Sequence, residues 1–115
     1  MKMRTNVKFE NKEDIKSIEK LTTMMLKDSE SEFSLTFWNK DNDGDYHQKG
    51  QIWKIANSDN IFYTINNIDV SINPIVKSVH IDWNEYSITF SIHNVNDERV
   101  LYVRIPDVTE IDVIF

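Results

Sequence analysis

The chain has 115 residues with no cysteine and only two glycines, and its 19 acidic and 13 basic side chains give a net charge of −6. This length suits one domain, so we assign residues 1–115 to a single domain. The composition excludes disulfide frameworks, thiolate metal sites and glycine-rich phosphate loops, and no apolar run approaches the roughly 18 residues of a membrane span. We therefore expect a cytoplasmic protein that holds no cofactor.

The first predicted elements are a strand and a helix. Polar and apolar or small side chains alternate over residues 1–10, which is typical of a half-buried strand. Asn11 is a predicted helix N-cap, and Glu13 and Asp14 place negative charge in the first turn. The helix is predicted to run from Lys12 to Leu26 or Lys27, with an apolar stripe at helical spacing formed by Ile15, Ile18, Leu21, Thr22 and Met25.

The rest of the chain predicts β structure. Alternating runs rich in β-branched and aromatic residues are separated by turn-forming sequences such as Asp41-Asn42-Asp43-Gly44. Short strands at this spacing indicate an antiparallel meander. The expected fold class is α+β and mostly β, with one N-terminal strand and one amphipathic helix packed on the meander as a partial barrel or a sandwich. The strands are predicted over residues 32–39, 46–56, 61–66, 68–72, 76–82, 86–93, 99–105 and 110–115.

An internal repeat relates two parts of the chain. Residues 32–62 and 85–115 align without a gap at an offset of 53 residues and are identical at eight positions, where chance gives roughly two. We predict that they form two equivalent three-stranded units, because equal spacing preserves which side chains face the core. The alternative is that two β segments converged on a similar alternation. The expected buried pairs are Phe33 with Tyr86, Leu35 with Ile88, and Phe37 with Phe90.

The loop after the first strand of the repeat overlays part of an EF-hand calcium loop. Its oxygen-bearing and turn residues occupy the EF-hand positions 1, 3, 5, 6, 7 and 9. Position 12, where a bidentate Glu usually completes the shell, is Gly50, and the flanking segments are strands rather than helices. We therefore expect a polar hairpin turn and no metal site. The overlaid residues are Asn39, Asp41, Asp43, Gly44, Asp45 and His47.

Histidines on the predicted strands suggest an enzymatic alternative. His80 and Asp82 are two residues apart and so share a strand face, as acid and base partners would. His93 shares a face of its own strand with three hydroxyl side chains. A solvated sheet face produces the same pattern more often. The alternative function is a small metal-dependent or His-dependent hydrolase centred on His80, Asp82 and His93.

Tryptophans beside the acidic loop are the strongest functional signal. Trp38 lies on the strand face opposite to Phe37, and Trp53 shares a predicted face with His47. Exposed aromatic side chains next to polar loops are typical of protein interfaces. The alternative is that the sheet is covered on both faces, which would place Trp38, Trp53 and Trp83 in the core.

We therefore predict a non-enzymatic, acidic protein-binding module. Its abundant Asn and Ile are typical of AT-rich coding sequence, which suggests a small regulator or inhibitor from a bacterial mobile element. The expected partner is another protein, and the net charge favours a basic one and disfavours direct binding to nucleic acid. The predicted site comprises Trp38, Asp41, Asp43, Asp45, His47 and Trp53. A further alternative is a nucleic-acid mimic whose phosphate-like charges are Asp41, Asp43, Asp45, Asp97 and Glu98.

Overall fold

The computed structural model describes residues 3–84 and 87–115, and these residues form nine strands and one helix. The predicted fold class, α+β and mostly β, is confirmed. Predictions for Met1, Lys2, Glu85 and Tyr86 concern positions outside the described residues. In chain order the elements are β1 (Arg4–Lys8), α1 (Lys12–Lys27), β2 (Phe33–Lys40), β3 (Tyr46–Lys54), β4 (Ile61–Ile65), β5 (Ile68–Ile72), β6 (Val76–Trp83), β7 (Ser87–Asn94), β8 (Arg99–Pro106) and β9 (Glu110–Ile114).

The strands form two antiparallel sheets that pack face to face. The larger sheet has six strands in the order β1-β9-β2-β3-β4-β5, and the smaller has three in the order β6-β7-β8. Between them Phe37 and Phe90 meet edge to face, with ring centroids 6.3 Å apart, within one continuous apolar core. The chain is therefore a sandwich rather than a partial barrel. We call the side of the six-stranded sheet that faces away from the smaller sheet the outer face.

The helix closes one edge of the smaller sheet. Asn11 caps it as predicted, because its side-chain oxygen accepts a hydrogen bond from the amide of Glu13. The helix lies along β6, where the amide of Val79 donates to the Thr23 hydroxyl and the amide of Ile81 donates to the Glu19 carboxylate. Edge amides that would otherwise face solvent are thus satisfied by helix side chains. The buried stripe of the helix is formed by Ile15, Ile18, Thr22 and Leu26.

The first two strands of the predicted repeat correspond closely. Leu35 pairs with Ile52 in the β2–β3 hairpin, and Ile88 pairs with Ile105 in the β7–β8 hairpin, so the 53-residue offset is preserved in the pairing register. The described members of the predicted buried set are all buried, namely Phe33, Leu35, Phe37, Ile88 and Phe90.

The third strands differ, so the predicted equivalence of two three-stranded units is wrong there. Strand β4 pairs with β3, whereas β9 leaves β8 and inserts between β1 and β2 of the other sheet. Only residues 107–109 connect β8 to β9, and Asp107 turns the chain with a left-handed φ of 58°. Residues 55–60 form a longer loop after β3. The common origin of the two hairpins stays a prediction.

Candidate functional site

The acidic loop of residues 41–45 is an internally hydrogen-bonded turn. The Oδ1 atom of Asp41 accepts from the amides of Asp43 and Asp45, both at 2.9 Å, and Gly44 supplies the left-handed φ of 86°. Nε2 of His47 donates to the Oδ2 atom of Asp41 at 2.8 Å, and this hydrogen bond is the main reason that the pKa of Asp41 lies below its usual value. Both carboxylate oxygens of Asp41 are therefore engaged within the protein.

The equivalent turn of the second hairpin has the same hydrogen bonds without the acid. The side-chain oxygen of Asn94 accepts from the amides of Asn96 and Glu98 at 3.0 Å each, and Asp97 has a φ of 61°. A side-chain oxygen is thus enough to build this turn. In residues 3–84 and 87–115 no three His, Asp or Glu side chains are grouped as a metal site would need.

A β-bulge decides which side chains of β3 reach the outer face. Phe37 pairs with Gly50, but Trp38 pairs with Gln48, so Lys49 is the extra residue. The bulge places Tyr46 on the outer face with Trp38 and sends His47 to the other side. The prediction that His47 shares a face with Trp53 is therefore wrong. The rings of Trp38 and Tyr46 are nearly perpendicular, with centroids 6.1 Å apart.

Trp38 and Tyr46 form a wall of a cleft of about 550 Å³ on the outer face. The carboxylate of Asp112 lies at its base, is only 6% exposed, and accepts hydrogen bonds from the Arg4 guanidinium and the Asn6 amide. Strand β9 lies between β1 and β2, and its residue Asp112 is opposite Asn6 of β1. We call this site the aromatic–acidic cleft, and it is lined by Arg4, Asn6, Trp38, Tyr46 and Asp112.

The other predicted tryptophans lie elsewhere. Trp53 is on the outer face opposite Ser34, which is four residues, or about 13 Å, from Trp38 along β2. It stacks on Phe62 with ring centroids 5.6 Å apart. Trp38 and Trp53 are both half-buried, whereas Trp83 packs with Phe9 against the core. Trp38 therefore lies near the acidic loop, because it contacts Tyr46, the residue that follows the loop. Trp53 lies at the far end of the same strands.

The histidines of the enzymatic alternative also meet. The rings of His80 and His93 are nearly perpendicular, with centroids 5.0 Å apart, on the exposed side of the three-stranded sheet. Nε2 of His80 is 3.1 Å from the Ser78 hydroxyl, and Asp82 follows on the same face. Nδ1 of His93 is buried and has no hydrogen-bond partner among the described residues. Within residues 3–84 and 87–115, no acid is hydrogen-bonded to His80 to orient it toward the Ser78 hydroxyl.

No protein-family model, curated protein or solved structure matches this chain. The geometry of the site must therefore support any function by itself. In the part of the chain that the structure describes, no helix has the length and apolar character needed to cross a bilayer.

The sequence prediction missed four of the five cleft residues, namely Arg4, Asn6, Tyr46 and Asp112. The alternation of Glu110 and Asp112 with Ile111 and Val113 does indicate an outward acidic row on the last strand. Its neighbours could not be foreseen, because the insertion of β9 beside Trp38 depends on contacts between distant segments. Tyr46 was missed because its orientation depends on the bulge.

Proposed function

We propose that this protein is a non-enzymatic binding module that holds a basic protein partner at the aromatic–acidic cleft. The observation that carries the proposal is the Trp38–Tyr46 pair standing beside the buried carboxylate of Asp112. Aromatic faces attract cations, and a carboxylate in a partly dry site binds a guanidinium through short, charge-assisted hydrogen bonds. An Arg or Lys side chain of the partner is the group that fits both features.

The cleft already accommodates a guanidinium from the chain itself. Arg4 donates to Asp112, yet its own side chain is 70% exposed while that of Asp112 is 8% exposed. A partner's Arg can therefore replace an exposed intramolecular contact without uncovering a second buried charge. The net charge of −6 favours encounters with a basic protein, and the hydrogen-bonded turn at Asp41 limits the conformational entropy lost on binding.

The charge pairs favour this reading over the nucleic-acid mimic. Asp41 is bonded to His47, Asp97 is paired with Lys77, and Glu98 accepts a hydrogen bond from the side-chain amide of Asn94. Three of the five phosphate-like carboxylates therefore already have cationic or hydrogen-bonding partners. A role as a small regulator or inhibitor is compatible with a binding module of this kind.

Photocrosslinking tests the proposal directly. We would place p-benzoylphenylalanine at Tyr46 in one preparation and at Tyr102 in another, in the native host cell. These tyrosines are 51% and 52% exposed, and each ring lies near a cation, Lys40 or Arg99, so they are a matched pair on opposite sheets. We expect a basic protein to crosslink at position 46 and not at position 102. Equal labelling at both positions would contradict the proposal.

Substitutions then measure the contribution of the cleft to binding. With the crosslinked partner purified, Trp38→Ala and Asp112→Asn should each weaken binding by about 30-fold, which corresponds to an interface residue worth roughly 2 kcal/mol. Tyr102→Ala should bind as the wild type does. If Trp38→Ala retains wild-type affinity, the cleft is not the binding site.

Urea denaturation of Trp38→Ala separates binding from folding. The half-buried Trp38 makes one aromatic contact with Tyr46, so we expect a stability loss of about 1 kcal/mol. A loss of roughly 3 to 5 kcal/mol, as for a core Trp, would place Trp38 in the core and remove it from the site.

A further inference from the structure

Lys54 is a buried cation with an incomplete set of partners. It lies at the end of β3, in phase with buried Ile52, and is only 1% exposed. Its Nζ donates to the backbone carbonyl of Ser31 at 2.6 Å. An ammonium group has three N–H donors, and buried lysines are normally paired with an acid. Among the described residues, this single neutral acceptor leaves the charge without a counter-ion.

Asp28, whose carboxylate interacts electrostatically with Lys54, is already engaged by other groups. Oδ2 of Asp28 accepts from the Ser31 hydroxyl at 2.6 Å, and Oδ1 accepts from the amide of Glu30 at 3.0 Å. The Ser31 hydrogen bond is the main reason that the pKa of Asp28 lies below its usual value, and Lys54 makes the smallest contribution. Within residues 3–84 and 87–115, no carboxylate lies within ion-pair distance of Lys54 Nζ.

Lys54 also lines a large cleft at one end of the six-stranded sheet. This cleft has a volume of about 610 Å³ and opens where β2 begins and where β3 and β9 end. Its walls are mainly apolar and include Phe33, Trp53, Met25 and Phe115, with the exposed Glu32 also among the lining residues. Small-molecule sites are typically apolar cavities of roughly 300 to 1,000 Å³ with a few polar groups that orient the ligand.

We propose that this cleft binds a small organic carboxylate, with the carboxylate bonded to Lys54 Nζ and the apolar part held against Met25 and Phe115. The anion supplies the missing counter-ion, and the bond to Ser31 fixes the ammonium in place. The apolar part of the ligand covers a surface that neither sheet buries completely. This site is separate from the aromatic–acidic cleft, at the opposite end of β2 and β3.

The test compares an anion with its neutral isostere on the wild-type protein. The probes are 2-naphthoate and 2-naphthamide, followed by quenching of tryptophan fluorescence and by the melting temperature. We expect 2-naphthoate to bind at least tenfold more tightly than 2-naphthamide, because only the anion forms a charge-assisted hydrogen bond. Sodium sulfate at the same concentration should have no effect, since it lacks the apolar part. Equal binding of the two naphthyl compounds, or no binding of 2-naphthoate, would overturn the proposal.

Two variants locate the binding. Lys54→Met keeps most of the apolar stem and should lose at least tenfold in affinity for 2-naphthoate while its affinity for 2-naphthamide is unchanged. Trp38→Ala, at the other cleft, should bind 2-naphthoate as the wild type does. Should Lys54→Met fail to fold, wild-type protein labelled with ¹⁵N-lysine gives the answer. The Lys54 ammonium resonance must then shift on addition of 2-naphthoate and not of 2-naphthamide, and an unchanged resonance would refute the site.

Discussion

The β2–β3 and β7–β8 hairpins have the same turn and the same register near their open ends, but different surroundings. The first lies inside the six-stranded sheet, flanked by β9 and β4, whereas β8 is an edge of the smaller sheet. Their bulges also differ, because the extra residue is Lys49 in the first and Val100 in the second, two residues nearer the turn. The local sequence pattern thus determines the turn and register of each hairpin. The connection that follows the hairpin and the position of its bulge determine which side chains are exposed.

The largest effect should come from the paired core phenylalanines. Phe37→Ala and Phe90→Ala remove equivalent, fully buried side chains, so each should lower the free energy of unfolding by about 3 to 5 kcal/mol. Because the rings are in contact, the double variant should lose less than the sum of the two. Urea denaturation measures all three. Strictly additive losses would show that the two hairpins do not support each other through this contact.

Gly50 marks a place where the hairpins cannot be exchanged. A Cβ atom there would lie 3.3 Å from Ile105 Cδ1 and 3.3 Å from the Thr64 carbonyl oxygen, whereas the equivalent residue of the second hairpin is Val103. We expect Gly50→Val to destabilise the protein by about 1 to 3 kcal/mol through overpacking, and Gly50→Ala by less. Thermal unfolding of the two variants tests this order. A Gly50→Val variant as stable as the wild type would mean that the sheets can move apart without a loss of stability.

Asp41→Asn makes the first turn like the second. The amide oxygen should keep the turn hydrogen bonds, as Asn94 does, but the favourable interaction of a charged carboxylate with His47 is lost. The His47 hydrogen bond holds the pKa of folded Asp41 below its ordinary value. The stabilisation is therefore fully present above that ordinary value and disappears as the pH falls through the folded-state pKa. We expect a small loss of stability for the variant at pH 7 and none near pH 2. A difference that persists in acid would assign the effect to packing.

Calcium should have the smallest effect of all. Both oxygens of Asp41 are occupied and no bidentate Glu closes the loop, so millimolar calcium should leave the melting temperature unchanged. A rise of several degrees that Asp43→Ala abolishes would contradict this expectation. The β7–β8 turn, which has Asn94 in place of Asp41, is the internal reference for a turn that lacks the ligand pattern.

The sequence predicts elements whose signals are local. Asn11 marks the helix start, the alternation of Leu35 and Phe37 marks an inward strand face, and the same alternation places Trp38 outside the core. These signals need only the order of neighbouring residues. The helix and the approximate positions of the hairpins could therefore be predicted from the sequence.

Features that depend on neighbouring strands could not be predicted from the sequence. The bulge at Lys49 reverses the sides of His47 and Tyr46, and no local signal in β3 announces it. Lys54 is in phase with Ile52, yet a lysine near the end of a predicted strand looks like a solvent-exposed residue rather than the base of a cavity. Asp112 joins the cleft only because β9 inserts beside β2. Each of these depends on contacts between segments far apart in the chain.

The insertion of β9 between β1 and β2 also constrains the order in which the protein can fold. Strands β2, β3 and β4 each pair with the next strand in sequence, so β2 to β5 can form hairpins as they are synthesised. Strand β1, in contrast, has no strand to pair with until β9 is available. Closing such long loops before any contact is gained makes folding slow. The pairing of β9 with β2, and of β1 with β9, therefore has to wait for the last strand of the chain. Until then the backbone edges of β1 and β2 that β9 will occupy are open to pairing with other chains.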